Sequence, residues 1–289
     1  MIIDFHTHTF PEEIAAHAIG KLAKSARAKN YLNGTLGALR SSMQESGIDY
    51  SVLLPVATKP NQEKDINNIA MEINSHSCET GLISFGGIHP DNEDYRRILR
   101  QCAANGIKGI KLHPIFQRTY LDDIRCLRII ECACEHNLII LVHAGYDVSC
   151  PDSGYASVPH IVSVLDKIKP DKFVLAHMGG WFCWQEAEAE LVGRNVWLDT
   201  SFCLLPIRPA PDTQRAPEEN PPLGREQFLR MVRSHGADRI LFGTDSPWSS
   251  QRESIHALEE SGLTASELSA VLGGNGAKLL QLPEKNVKQ

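Results

Sequence analysis

Hydrophobic and polar positions alternate along this chain in two rhythms. Apolar runs of four to eight residues, rich in Val, Ile and Leu, end in polar residues, and longer stretches with helical spacing follow them. Short continuous apolar runs suit strands buried on both faces, and the amphipathic stretches suit helices packed over them. The strand-type runs are Ile2–Phe5, Ser51–Val56, Leu82–Ile88, Ile107–Leu112, Leu138–Val142, Lys172–Ala176, Val196–Asp199 and Arg239–Phe242. Helical stretches begin at Pro11 and at Thr35, then cover Gln62–Thr80, Asn92–Asn105, Asp122–His136, Ser157–Lys169, Trp181–Val192, Arg225–His235 and Ser250–Ser261, with a terminal helix from Thr264.

Eight strand-then-helix units in 289 residues fit a closed (β/α)8 barrel. The expected fold class is therefore α/β, a TIM barrel. No composition break divides the chain, so residues 1–289 read as one domain with an additional C-terminal helix. No Gly-x-Gly-x-x-Gly follows the first strand, which disfavours a dinucleotide-binding sheet.

Composition narrows the function classes. A net charge of −6 gives no general basic field for nucleic acid or anionic lipid. No apolar run approaches the ~20 residues that span a bilayer, and the first residues lack a signal-peptide pattern. The eight Cys contain no Cys-x-x-Cys pair and read as reduced packing residues of a cytoplasmic protein. The expected partner is a small molecule, with no nucleic acid and no membrane, and a homodimer is the expected assembly.

The chemistry gathers at the strand ends. The first strand runs into His6-Thr7-His8, and residues i and i+2 on a strand share a side, so two imidazoles converge. Such a pair suits a divalent metal such as zinc. His89, His113, His143 and His177 end four later strands, and Asp245 follows the eighth. In barrels of this kind the active site lies at these C-terminal strand ends. Parity along the fourth strand separates Gly109, Lys111 and His113 from Ile110 and Leu112. Lys111 is thus expected to point into the barrel.

His6-x-His8, His143, His177 and Asp245, in this order, resemble the amidohydrolase superfamily. The phrases Val142-His143-Ala144-Gly145, Ala176-His177-Met178-Gly179-Gly180, Phe242-Gly243-Thr244-Asp245-Ser246-Pro247 and Gly274-Asn275-Gly276-Ala277-Lys278-Leu279-Leu280 are similar to its branch related to aminocarboxymuconate-semialdehyde decarboxylase. The resemblance covers essentially the whole chain. It implies one zinc held by His6, His8, His143 and Asp245, with His177 beside the metal water. Asp245 and His177 are then the catalytic residues: Asp245 moves the proton, and His177 orients water or stabilises developing charge. Other branches carry a carboxylated lysine on the fourth strand. If Lys111 is so modified, it can bridge to a second ion held by His143 and His177; otherwise it is a cation that binds a substrate carboxylate or pairs with an acid of the barrel.

His89 and His113 each precede a proline, and read equally as substrate contacts or as turn residues. Trp248, on a catalytic-face loop, is a candidate pocket wall. Pro206–Pro222 holds six prolines and is the longest loop, and its Arg208 could grip a carboxylate, although solvation is favoured for Arg208 taken singly. The leading functional expectation is a metal-dependent hydrolase using zinc-activated water. The alternative is a metal-dependent non-oxidative decarboxylase, a carbon–carbon lyase, of an unsaturated or aromatic acid. Third comes a catalytically silent metal-binding protein. A carboxylate-binding arginine beside the metal would favour decarboxylation.

Overall fold

A computed structural model describes residues 1–211, 213–216 and 219–283. The apolar runs form parallel strands: β1 (Ile3–Thr7), β2 (Tyr50–Leu53), β3 (Leu82–Ser84), β4 (Gly86–Gly87), β5 (Gly109–Leu112), β6 (Ile139–Val142), β7 (Phe173–Leu175), β8 (Trp197–Asp199) and β9 (Ile240–Leu241). The first three form one ladder and the other six a second. β3 and β4 are one expected strand, interrupted at Phe85, whose N–H still bonds to Leu53 O on β2 at 2.9 Å, as in a ladder. Asn74 and Asn67 hold the two pieces, exchanging side-chain hydrogen bonds with Ser84 and Gly87 respectively.

The barrel closes between its last and first strands. Phe5 N bonds to Phe242 O (2.8 Å), Asp245 N to His6 O (2.8 Å) and His8 N to Ser246 O (2.7 Å). Closure itself thus brings the backbones of His6, His8 and Asp245 side by side.

Two apolar clusters follow from strand alternation. Phe5, Leu54, Phe85, Leu141 and Val174 belong to one, which Leu279 and Leu280 of the C-terminal helix join. Ile110, Leu112, Ile140, Val142 and Phe173 belong to the other, with the helix residues Leu99, Ile129, Ile161 and Phe228. The first cluster fills the barrel and the second packs helices on it. Burying each large side chain of this kind contributes about 1.5–3 kcal/mol. Ile110 and Leu112 fall in the outer cluster, so Lys111 between them points inward, as parity requires; it is 1 % exposed.

β1 carries a register irregularity. Asp4 pairs with Ser51, but Thr7 pairs with Leu53, so three steps on β1 match two on β2. A bulge of this type re-aims the following side chains. It lets Phe5 pack edge-on to Phe85 (centroids 6.0 Å) while His6 and His8 converge beyond it.

The helices agree with their patterns, with local departures. The stretch Gln62–Thr80 divides into Glu63–Ser75 and Ser77–Thr80. The helix expected from Trp181 starts at Trp184, because the Trp181 backbone is paired with the loop after β6: its N–H bonds to Ala144 O (2.8 Å), and Tyr146 N bonds to its carbonyl (3.1 Å). Gly145 permits this approach, since a Cβ there would stand 2.3 Å from Trp181 N. A short helix, Pro114–Gln117, follows β5, with His113 as its N-cap. The terminal segment starts with a Thr264–Glu267 capping box, passes through a π-helical turn at Ala270–Gly274 and ends as Asn275–Leu280. The loop after β8 lies along the end of the first helix, Glu12–Ala26: Lys29 N bonds to Arg208 O (2.8 Å) and Arg215 Nη2 to Ala26 O (2.6 Å). Asp212, Pro217 and Glu218 of this loop lie outside the described residues. No described helix is long and apolar enough to cross a membrane.

Candidate active site

One cavity opens over the strand ends. His6, His8, Lys111, His113, His143, His177 and Asp245 line it, with walls from Phe10, Leu54, Phe116, Trp181, Phe202 and Trp248.

His6 Nε2 stands 3.2 Å from His8 Nε2, and Asp245 Oδ1 lies 3.5 and 3.1 Å from these two nitrogens. The far side of each ring decides its tautomer. His6 Nδ1 donates to Asp199 Oδ2 (2.8 Å) and His8 Nδ1 to Leu54 O (2.9 Å). Both Nε2 atoms therefore present lone pairs to each other and to a carboxylate oxygen. Three acceptors this close repel unless a cation sits among them. Ligand atoms at ~2.1 Å from one tetrahedral ion stand ~3.4 Å apart, so the triangle has the size of a single coordination sphere. A proton on His6 would also relieve the clash. Burial, followed by the Lys111 charge, holds that imidazole well below its ordinary pKa. The residues present thus fit a metal ion.

A second imidazole pair adjoins the first. His177 Nε2 faces His143 Nδ1 at 3.1 Å, while His177 Nδ1 bonds to Ser201 O (2.9 Å) and His143 Nε2 to Tyr146 O (2.9 Å). Here too both facing nitrogens present lone pairs. Burial first, then neighbouring positive charge, pushes both rings down to about 4. The compact group of candidate metal-binding atoms is His6, His8 and Asp245; His143 stands instead with His113 and Asp147.

Asp245 has a positive φ of 62° and His177 one of 59°. Non-glycine residues rarely adopt this region, and it is enriched at functional sites. Burial raises the Asp245 carboxyl, but the imidazoles of His8, His6 and His177 gathered around it outweigh burial and hold it well below the usual range. Burial brings Lys111 down to about 8, against the opposing pull of Asp199, Asp245 and Asp147.

Other expected residues separate. His113 is both turn and wall: its Nδ1 accepts Phe116 N (3.4 Å) while the ring lines the cavity. Trp248 lines it as well. His89 and Arg208 are not among the lining residues. His89 is buried in its own turn, with Nδ1 accepting Asp91 N (3.1 Å). Arg208 is turned outward, pairing with Glu253 (3.0 Å) and lying over the Tyr31 ring. After Gly180, Trp181 reaches the cavity and Trp184 donates its indole N–H to His177 O (3.0 Å).

Two carboxylates behind the site are less visible in the sequence. Asp199, which ends the strand-type run Val196–Asp199, accepts from His6 with Oδ2, and from His177 N (2.8 Å), Ser201 N (3.0 Å) and Ser201 Oγ (2.5 Å) with Oδ1. One buried group thus orients both imidazole pairs. Asp4 accepts from Thr244 N (3.0 Å), Thr244 Oγ1 (2.6 Å) and Gln251 Nε2 (2.8 Å), tying β1 to the turn that carries Asp245. Its only sequence signal is a charge inside an apolar run.

A closed parallel barrel with a His-x-His pair and an aspartate converging at the strand ends defines a class of barrels built to hold a metal ion over a small-molecule cavity. The amidohydrolase family model matches residues 3–282, and the chain belongs to that family. Among solved structures, it is similar to 5-carboxyvanillate decarboxylase from Sphingomonas paucimobilis, with 13% identity over 98% of this chain and 99% of that one, and a TM-score of 0.65. It is also similar to dihydroxybenzoic acid decarboxylase from a Polaromonas species with bound manganese and the inhibitor 2-nitroresorcinol (16% identity, 100% and 99% covered, TM-score 0.70). A third is a putative 2-pyrone-4,6-dicarboxylic acid hydrolase from Pseudomonas putida (19% identity, 97% of each chain covered, TM-score 0.64). A search of curated proteins finds no match.

Proposed function

We propose that this protein is a divalent-metal-dependent carboxy-lyase, removing CO2 without oxidation from a small aromatic or unsaturated carboxylic acid. The observation that carries the reading is the cavity's division of chemistry. Aromatic and aliphatic walls enclose a floor that pairs a candidate metal triad with one buried cation, Lys111. A flat acid suits that shape, with its ring against the walls and its carboxylate on the floor. Likeness to two aromatic-acid decarboxylases, one with bound manganese, adds support.

His6, His8 and Asp245 would hold the ion, with His143 the fourth donor and His177 beside it. Zinc is the expected ion and manganese its competitor; one ion is favoured over two. When bound, the ion supplies Lewis-acid pull on substrate oxygens. Lys111 offsets the charge of the substrate acid. Asp245, whose Oδ1 faces the two histidines, would take a proton from solvent on its other oxygen as the substrate enters and pass it to the substrate carbon. The carbon–carbon bond breaks, its electron pair stays with the carbon that takes the proton, and CO2 leaves. His177 holds polar groups of the substrate in register, and the apolar walls exclude water.

Hydrolysis is the second reading. It is favoured by one observation: no arginine lines the cavity among the described residues. The deciding experiment is turnover by metal-loaded protein over a panel of aromatic acids, lactones and amides. Released CO2 with a stoichiometric decarboxylated product is the expected result. Hydrolytic product without CO2 would overturn the lyase reading.

A further inference from the structure

Beyond the triad, His113 and Asp147 meet across the same cavity. Together with His143 they bring one ligand-type atom each within 4.8 Å of one another. Hydrogen bonds assign these atoms different tasks. His143 Nε2 is spent on Tyr146 O (2.9 Å). Asp147 Oδ1 accepts from Ser149 N (2.8 Å) and Ser149 Oγ (2.5 Å). Asp147 Oδ2 accepts no hydrogen bond from any described residue; His113 Nε2 stands 3.7 Å away and His143 Nε2 4.0 Å away.

His113 Nδ1 accepts the Phe116 N–H, so Nε2 carries the ring hydrogen. The ring is clamped between Phe116 (centroids 4.0 Å, 1° apart in plane) and His143 (4.3 Å, 17°). A fixed N–H donor and a carboxylate acceptor therefore confront each other at 3.7 Å, beyond direct hydrogen-bond distance. One oxygen between them satisfies both, provided it accepts from His113 and donates to Asp147. A hydroxyl does this. An ether or ketone cannot donate, and a second carboxylate would meet the Asp147 charge.

We propose that His113 and Asp147 form a specificity subsite for a hydroxyl group of the substrate, in the cavity that the metal triad also lines and with the His113 ring stacked on His143. This rests on the carboxy-lyase reading only in seating the substrate's acid group at the triad. The assignment selects hydroxy acids over their ethers and over diacids at that position.

The test is calorimetric binding, which is independent of the reaction catalysed. Metal-loaded protein is titrated with benzoate, the three monohydroxybenzoates and the matched methoxybenzoates. At least one hydroxybenzoate is expected to bind about tenfold or more tighter than its methoxy partner, the scale of a buried hydrogen bond lost on one side. Asp147→Asn keeps the acceptor for Ser149 but puts a second donor opposite His113. It should abolish or invert that preference while leaving benzoate affinity unchanged. His113→Phe, which keeps the stack but removes the donor, should weaken the hydroxybenzoate and spare benzoate. Absence of any hydroxyl preference would mean that only water bridges the pair, and would overturn the assignment. So would a preference that survives Asp147→Asn, or an equal loss of benzoate in both variants. Failure to release CO2 would sink the lyase reading and leave these binding results to decide the subsite.

Discussion

The two imidazole pairs over the barrel have nearly the same nitrogen separation and opposite surroundings. His6 and His8 face each other at 3.2 Å, and His143 and His177 at 3.1 Å. Behind His6 stands the Asp199 carboxylate, and Asp245 stands in front of the pair. Behind His143 and His177 stand uncharged groups, the Tyr146 and Ser201 carbonyls and the Ser201 hydroxyl, and the two belong to no three-residue metal group together. The difference teaches where positive charge is wanted. Carboxylates on both sides make the first pair a seat for a cation. The second pair, with neutral backing, would lend only His143 as a fourth donor and leaves His177 to adjust polar groups beside it.

The largest expected effects break the first pair. His6→Ala or Asp245→Asn should abolish metal retention, measured by elemental analysis after dialysis, and turnover with it. Full metal content and activity in either variant would end the metal assignment. Next comes the second pair. His177→Ala should keep metal content near that of the parent yet lower kcat by about 10²–10⁴, the range for a positioned polar group in the reaction. Loss of metal instead would erase the contrast between the pairs. Smaller again, Asp199→Asn should weaken metal affinity by about 10–100-fold in chelator competition, because an amide backs the His6 ring less well than a carboxylate. The matching change behind the second pair, Ser201→Ala, removes a hydroxyl within 3.0 Å of both His6 and His177 but leaves the Ser201 carbonyl in place. It should move affinity less.

Much of this was legible in the sequence because it is local. His6 and His8 are two residues apart, Lys111 lies between two outward apolar neighbours, and His113, His143 and His177 each follow an apolar run. Strand parity and barrel architecture turn such patterns into a site. Asp199 was harder, because its hydrogen bond to His6 spans 193 residues of sequence and forms only when the barrel closes. Asp147 was harder still: no periodicity marks it, and its aim depends on a turn set by Ser149. The β1 bulge is silent as well, since Phe5 and His6 read as neighbours on opposite faces. Arg208 and His89 show the converse. Both have suitable chemistry near strand ends, but an ion pair with Glu253 holds one outside, and the other caps its own turn.

A buried histidine outside the site sharpens the contrast. His235 is 2 % exposed, and both its ring nitrogens are satisfied: Nδ1 accepts Gly193 N (3.1 Å) and Nε2 donates to Val196 O (3.0 Å). No lone pair is left facing another. Its role is to hold a neutral ring between the helix Arg225–His235 and the entry to β8. Burial pushes its pKa down to about 4. The unfolded chain binds a proton near pH 6.5, and the folded chain does not until about pH 4. Stability from this residue is therefore intact above pH 6.5 and lost as pH falls toward 4, by about 3 kcal/mol in all. His235→Gln can keep the amide-type donor without the titration. Its thermal midpoint should fall at pH 7.5, because the fit is poorer, and approach the parent's as pH drops to 5. Measured at equal metal loading, that convergence isolates His235 from the histidines of the site. Parallel pH curves for the two proteins would show that the neutral ring is not what the fold requires there.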